Sequence, residues 1–281
     1  MTRAEIIRKI YNEIDNLPSI PENIIKIQNI IQDPRSDINI IAQYVKRDVG
    51  LTANILRIAN SPWYMPIMRV DSVDRAISLI GLRRLYSIVL AIAAKKVLTE
   101  RMKSIKDAWK HSYQCAFFAQ QLMKQRRYPM EDIELGYIAG LLHDMGKVVF
   151  LSLSSDLINR MTNLSESKKV SISDIEKAAL GLTHSEVGGK IANKWKFPKQ
   201  LINAVTYHHE PDEAGDKNFN FVAVTYLSNI FCHHKEYEPV LYTSINKAVL
   251  TELKITTETQ FEAIHKTLYE SYSITPDIRF F

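Results

Sequence analysis

The sequence predicts an all-α protein in which an N-terminal helical lobe packs on a second helical lobe. Three observations carry that expectation. Glycine is scarce, 9 of 281 residues, about half the usual ~7%, so few positions offer the positive φ that tight strand turns need. Apolar residues recur at steps of three and four along most of the chain. No stretch alternates strand-length and helix-length segments as a βαβ chain does. The composition, 46% hydrophobic and 24% charged, is that of a folded globular chain and excludes disorder over most of the length. Lys and Arg number 36 against 31 Asp and Glu, a net charge of +5, too mild for a dedicated nucleic-acid binder.

Taken in order, Thr2 and Glu5 form a capping box for an opening helix. Ile24, Ile27, Ile30 and Ile31 make an apolar stripe ahead of Asp33-Pro34, and Leu51, Ile55, Ile58 and Ala59 repeat it before Ser61-Pro62. Ser72 caps a helix that Gly81 ends, and Leu85 to Leu98 forms a longer apolar helix flanked by basic pairs. The polar stretch 99–106 is the expected boundary between lobes. Beyond it, helices are expected over 107–126, 131–144, 147–162, 173–180, 184–195, 199–209 and 219–234, punctuated by Pro129, Gly146, Gly181, Pro198 and Pro211. Amphipathic segments near 240–253 and 258–271 follow Pro239, the second introduced by a capping box of Thr257 and Gln260. The division expected is 1–103, 104–235 and a C-terminal extension, 236–281. The apolar stripes of the first lobe exceed what its own helices cover, so the lobes should form one cooperative unit.

The two cysteines, Cys115 and Cys232, stand in no CxxC pair and cannot supply a disulfide framework. The longest apolar run, Leu85 to Ala94, is well short of the ~20 residues a membrane span needs, and the first five residues lack the core of a signal peptide. A cytoplasmic protein without a membrane partner is expected.

The histidines carry the chemical information. His143 is followed by Asp144 at the end of the apolar run Ile138-Ala139-Gly140-Leu141-Leu142. An imidazole and a carboxylate at the inner end of a buried helix cost free energy unless something pairs with them, and a metal ion is one such partner. A histidine bonded to a backbone carbonyl is the commoner alternative at each position. His184 stands on the first turn after the capping box of Thr183 and Glu186. His111 lies on the apolar face that continues through Cys115, Phe118 and Leu122. His208 and His209 end the helix begun at Pro198; adjacent helical residues point about 100° apart, so a single ion would not readily take both. His233, His234 and His265, among polar neighbours, are expected at the solvated surface.

The segment Leu141-Leu142-His143-Asp144-Met145-Gly146-Lys147, with His111 upstream, resembles the HD superfamily of metal-dependent phosphohydrolases. Leu17-Pro18-Ser19-Ile20-Pro21, the run from Leu51 to Ser61, and the run from Ala76 to Leu85 are similar to N-terminal signatures of the HDOD family, the HD-related output domain of bacterial signalling proteins. The resemblance covers residues from about 6 to 235 and implies that the second lobe is HD-like. It implies one or two divalent metals at His111, His143, Asp144, His184, His208 and His209, with Asn229 at the last ligand position, where HD enzymes carry Asp. Lys147 falls where those enzymes have a phosphate-contacting lysine, so Asp144 and Lys147 are the catalytic candidates. A His-dominated donor set favours Fe, Mn, Zn or Ni over Ca or Mg. The Gly-Tyr-Pro segment of the cyclic-dinucleotide enzymes is absent, and Glu210-Pro211-Asp212-Glu213 follows His209 instead. A neutral amide at 229 weakens the case for catalysis. The expected function is a bacterial signal-output protein with a retained metal site, with an unidentified signalling protein as partner and a nucleotide as the ligand class. Its rivals are a phosphohydrolase acting on a nucleotide or cyclic-dinucleotide phosphodiester and a scaffold with structural histidines.

Overall fold

The computed structural model describes residues 2–32, 37–61, 64, 66–101, 106–168, 170–233 and 241–274. Among these the regular elements are α-helices and two single-turn 3-10 segments, with no strand. Pro34, Pro62, residues 102–105 of the polar stretch 99–106, Pro239 and His234 lie outside the described residues. No single helix among those described is long and apolar enough to cross a membrane.

The chain opens on α1 (Arg3–Asp15), started by a complete capping box: Glu5 N donates to Thr2 Oγ1 and Thr2 N to Glu5 Oε2. Two compact units follow from the packing, and α1 belongs with the chain after Glu100 rather than with its sequence neighbours. The unit spanning Pro18–Thr99 contains α2 (Glu22–Gln32), α3 (Ile38–Lys46), α4 (Val49–Ala59), α5 (Val73–Ile80) and most of α6 (Leu82–Arg101). Ile24, Ile27, Leu51, Ile55, Ile58 and Ala59 are buried, as their spacing predicts, while Ile30 and Ile31 are half-buried. Asp37, Asp48 and Ser72 cap α3, α4 and α5, and Gly81 ends α5 at φ 85°, where a side chain would be strained.

The second unit holds α7 (Lys106–Gln125), α8 (Met130–Leu142), α9 (Lys147–Leu153), α10 (Ser155–Lys168), α11 (Ile172–Leu180), α12 (His184–Lys194), α13 (Lys199–Tyr207), α14 (Phe219–His233), α15 (Lys247–Glu252) and α16 (Glu258–Ile274). α8 is its centre. Every residue from Ile133 to Leu142 is buried, and α7, α13 and α14 pack around it. α1 lies against α9, α11 and α12, held by Lys194 Nζ, which donates to the carbonyls of Ile14 (2.8 Å), Asp15 (2.7 Å) and Leu17 (3.3 Å). The helix expected over 147–162 is two helices. Ser154 is extended (φ −172°, ψ 113°) and its Oγ accepts from Leu157 N at 3.2 Å, the local bond by which serine competes with a helix interior. The segment expected over 240–253 narrows to α15, because Asn246 Oδ1 takes Ala248 N (2.8 Å) and Val249 N (3.3 Å) and sets the start there.

Two local features fix the beginning of α12. Thr183 and Glu186 form the predicted capping box, with Glu186 N donating to Thr183 Oγ1 at 3.1 Å and Thr183 N to Glu186 Oε2 at 2.7 Å, and Lys177 Nζ pairs with Glu186 Oε1. Gly146, at the start of α9, presses its backbone against α12. A Cβ there would fall 1.9 Å from His184 O and 2.6 Å from Gly188 N.

Both features give measurable expectations. Gly146→Ala forces the two helix starts apart, and overpacking against backbone should cost about 3 kcal/mol in a denaturant titration; a loss within error of zero would mean the approach relaxes freely. At Glu186, burial raises the carboxyl pKa, but the bonds from Lys177 and Thr183 outweigh it and hold the group below its usual value. A depressed folded pKa stabilises above the ordinary carboxyl value near ~4.3 and loses that contribution as pH falls through the folded value. The stability difference between wild type and Glu186→Gln, of at most about 1 kcal/mol, should therefore be constant at neutral pH and vanish on acidification. A difference that grows on acidification would contradict this.

Candidate metal centre

Five helix ends or faces of the second unit contribute. His111 comes from α7, His143 caps the C-terminus of α8, Asp144 lies in the turn to α9, and Lys147 opens α9. His184 opens α12, while His208 caps α13 and is followed by His209. His143, His184 and His208 are buried; His111, Asp144 and His209 are half-buried. The donors fall into two groups, one of His111, His143 and Asp144 and the other of His184, His208 and His209, each with its ligand atoms within 4.8 Å of one another.

Asp144 joins them. Its Oδ2 lies 3.3 Å from His143 Nε2, 3.6 Å from His111 Nε2 and 2.7 Å from Lys147 Nζ. Its Oδ1 lies 3.2 Å from His184 Nε2 and 3.9 Å from His208 Nε2, yet is buried with no hydrogen-bond partner of good geometry. Burial raises the pKa of Asp144, but the charges of His143 and Lys147 outweigh it and keep the carboxylate ionised.

The ring tautomers follow from the outer bonds. His143 Nδ1 lies 2.8 Å from Gly140 O, His208 Nδ1 2.8 Å from Val205 O, and His184 Nδ1 2.7 Å from Glu176 Oε2. A carbonyl or carboxylate oxygen only accepts, so each Nδ1 carries a proton and each ring turns its Nε2 inward, which is the lone-pair nitrogen whenever the ring is neutral. These nitrogens nearly touch: His111 to His143 3.3 Å, His184 to His208 3.3 Å, His209 to His184 3.1 Å. Burial, then neighbouring imidazoles, hold His208 and His209 well below the usual histidine value; burial does the same for His111 although Asp144 opposes it. At His143 and His184 burial also disfavours the charged ring, but Asp144 and Glu176 respectively outweigh it. Converging nitrogen lone pairs around a buried, unsatisfied carboxylate oxygen fit a divalent cation, at ligand distances near ~2.1 Å.

The expectation that His208 and His209 diverge does not hold. α13 ends at Tyr207, so the helical rotation stops before the pair, and both imidazoles join His184. Asn229 is buried on α14, its Oδ1 without a hydrogen-bond partner. His265 is not at the surface: its ring stacks on Phe231 at 4.7 Å and meets the edge of Tyr269. His233 is exposed, but its ring lies 4.9 Å from that of His111, at the rim of the site. Glu176 was not singled out from sequence. Its signal is the spacing Ser173, Glu176, Leu180, which sets a carboxylate on the buried face of α11.

The HDOD domain family model matches residues 17–211. An uncharacterized protein of Treponema pallidum (strain Nichols) is 25% identical over 269 residues, covering 96% of this chain and 52% of its own, so the chain spans about half the length of that curated relative. Among solved structures, a provisionally named signal transduction protein from Marinobacter aquaeolei VT8 matches with a TM-score of 0.70 at 21% identity, over 96% of this chain and 64% of that one. A provisionally named phosphohydrolase from Shewanella amazonensis SB2B matches with a TM-score of 0.66 at 18% identity, over 94% of each chain. At these identities the likeness to the solved structures is one of fold. The family match spans the N-terminal signatures and the helix ends that bring the histidines onto Asp144, and by it this chain belongs to the HDOD domain family.

Proposed function

We propose that the chain is a bacterial, cytoplasmic signal-output module that holds one or two divalent transition-metal ions between His111, His143, Asp144, His184, His208 and His209. The observation that carries this reading is Asp144, whose two oxygens face two sets of inward-turned imidazoles. Imidazole nitrogens outnumber carboxylates, a donor set that suits Fe, Mn, Zn or Ni. Its partner would be a signalling protein, with a nucleotide as the ligand class. Bound ions of this kind supply Lewis acidity and a hydroxide at neutral pH. This chain's residues position Lys147 on Asp144, where its ammonium would meet a phosphoryl oxygen.

That last feature, with the fold shared by a provisionally named phosphohydrolase, favours the second reading, hydrolysis of a nucleotide phosphodiester. The family resemblance and one observation weigh against it. The resemblance implies that Asn229 takes the place of a ligand carboxylate. A cleft of about 410 Å³ bordered by His209 is lined by Glu210, Asp212 and Glu213, an acidic wall that repels an anionic phosphodiester.

Elemental analysis of protein purified without chelator should find Fe, Mn, Zn or Ni at up to about two per chain. His143→Ala with Asp144→Ala should remove most of it. Ions bound at ~100-fold excess over Kd stabilise by about 2.7 kcal/mol, so chelation should lower Tm by several degrees in wild type and not in the double variant. Unchanged metal content in that variant would refute the site. Hydrolysis of an aryl phosphodiester under added Mn, Fe or Zn should be slow or absent, and Asn229→Asp should raise metal occupancy. Robust wild-type turnover that Asp144→Ala abolishes would establish the phosphohydrolase instead.

A further inference from the structure

The two ion positions do not have equivalent surroundings. On one side, His143 Nδ1–H is held by an uncharged acceptor, Gly140 O, and on the other His208 is held likewise by Val205 O. Of these three rings, His184 is the one with a carboxylate behind it. Glu176, buried on α11, accepts with the same oxygen from His184 Nδ1–H at 2.7 Å and from the His184 backbone N–H at 2.8 Å. Buried and pointed at a single imidazole, a carboxylate raises that ring's basicity and fixes its tautomer and orientation at once. The second acceptor role ties the side chain to the first turn of α12, so the ring and the helix that presents it are positioned by one atom.

We infer that Glu176 is a positioning residue that makes the His184–His208–His209 position the tight one and leaves the His111–His143 position the weaker, more exchangeable one. The inference rests on the metal-binding reading above and adds an order to it: the ion beside His184 binds first, and the second position responds to metal supply. On the His111 side the carboxylate at hand, Asp144, is shared with the other group, and the group beside His143 is the buried thiol of Cys115 rather than a second carboxylate.

The test is a Co²⁺ titration of chelator-stripped full-length protein, followed by visible absorption in the presence of a competing chelator. Wild type should bind in two phases. Glu176→Gln keeps the size and an acceptor oxygen while removing the charge; it should weaken the tighter phase tenfold to a hundredfold, leave the weaker one in place, and melt like wild type when metal-free. His111→Ala should remove the weaker phase and spare the tighter. A Glu176→Gln curve superimposable on wild type, equal weakening of both phases, or two wild-type ions of equal affinity would overturn the inference. A metal-free Glu176→Gln that no longer folds would also overturn it, because Glu176 would then be a cap for α12 alone. Absence of any Co²⁺ binding by folded wild type would instead overturn the metal-binding reading itself.

Discussion

Imidazole nitrogens that face one another 3.1–3.3 Å apart around a buried carboxylate are the constraint around which the second unit is arranged. Three imidazoles spend their Nδ1–H on fixed acceptors, and their Nε2 atoms then face one another, the rings of His111 and His209, and Asp144. A folded chain tolerates such an arrangement only where helices hold the rings by their backbones. That is the case here, since His143 and His208 are bonded to carbonyls of their own last turns and His184 sits inside a capping box. The close approach of Gly146 to His184 O completes the frame, because it sets the turn bearing Asp144 directly against the start of α12. The repulsion among the rings is thereby borne by helix packing, and it becomes attraction once a positive charge stands between them.

Much of this was legible in the chain itself. The stripes at 24–27 and 51–59, the caps at Thr2, Ser72 and Thr183, and the terminator Gly81 act within a turn or two, so periodicity and cap chemistry reveal them. The candidate ligands were legible because His-Asp at the end of an apolar helix is costly to bury and because their order matches a known pattern. What escaped was set by tertiary contact. Ser154 breaks a continuous apolar period through a side-chain bond of its own. The imidazoles of His208 and His209 converge because their helix stops two residues earlier than its composition indicates. His265 is buried by aromatic rings from its own helix and from α14, an environment that its charged sequence neighbours conceal. Glu176 was marked only by a carboxylate at a buried spacing, a signal of the same kind as the histidines but without a motif around it.

The electrostatics of the site are layered. Nearest the candidate ions, Asp144 supplies one negative charge to two groups of neutral or partly charged rings, with Lys147 partly cancelling it. Farther out, Glu210, Asp212 and Glu213 line the cleft beside His209, and burial with the charge of Glu213 raises the Glu210 pKa. A field of that sign draws cations toward the histidines and works against anionic esters, which separates holding a metal from turning over a phosphodiester. The family fold accommodates both outcomes, since the frame of helix ends is indifferent to what the cleft admits.

The clamp of Lys194 on the last carbonyls of α1 has a bearing on synthesis. Because α1 docks on helices up to 180 residues downstream, the span Pro18–Thr99 is in effect an insertion whose two ends both lead into the same unit. At translation rates of ~5–20 residues per second, α1 waits on the order of 10–40 s for the surface that receives it. During that interval the apolar face it will bury is uncovered, and the inserted span has time to consolidate first. Closure of the second unit around α1 is then a late, non-local event, the kind that slows folding and leaves a nascent chain dependent on chaperones.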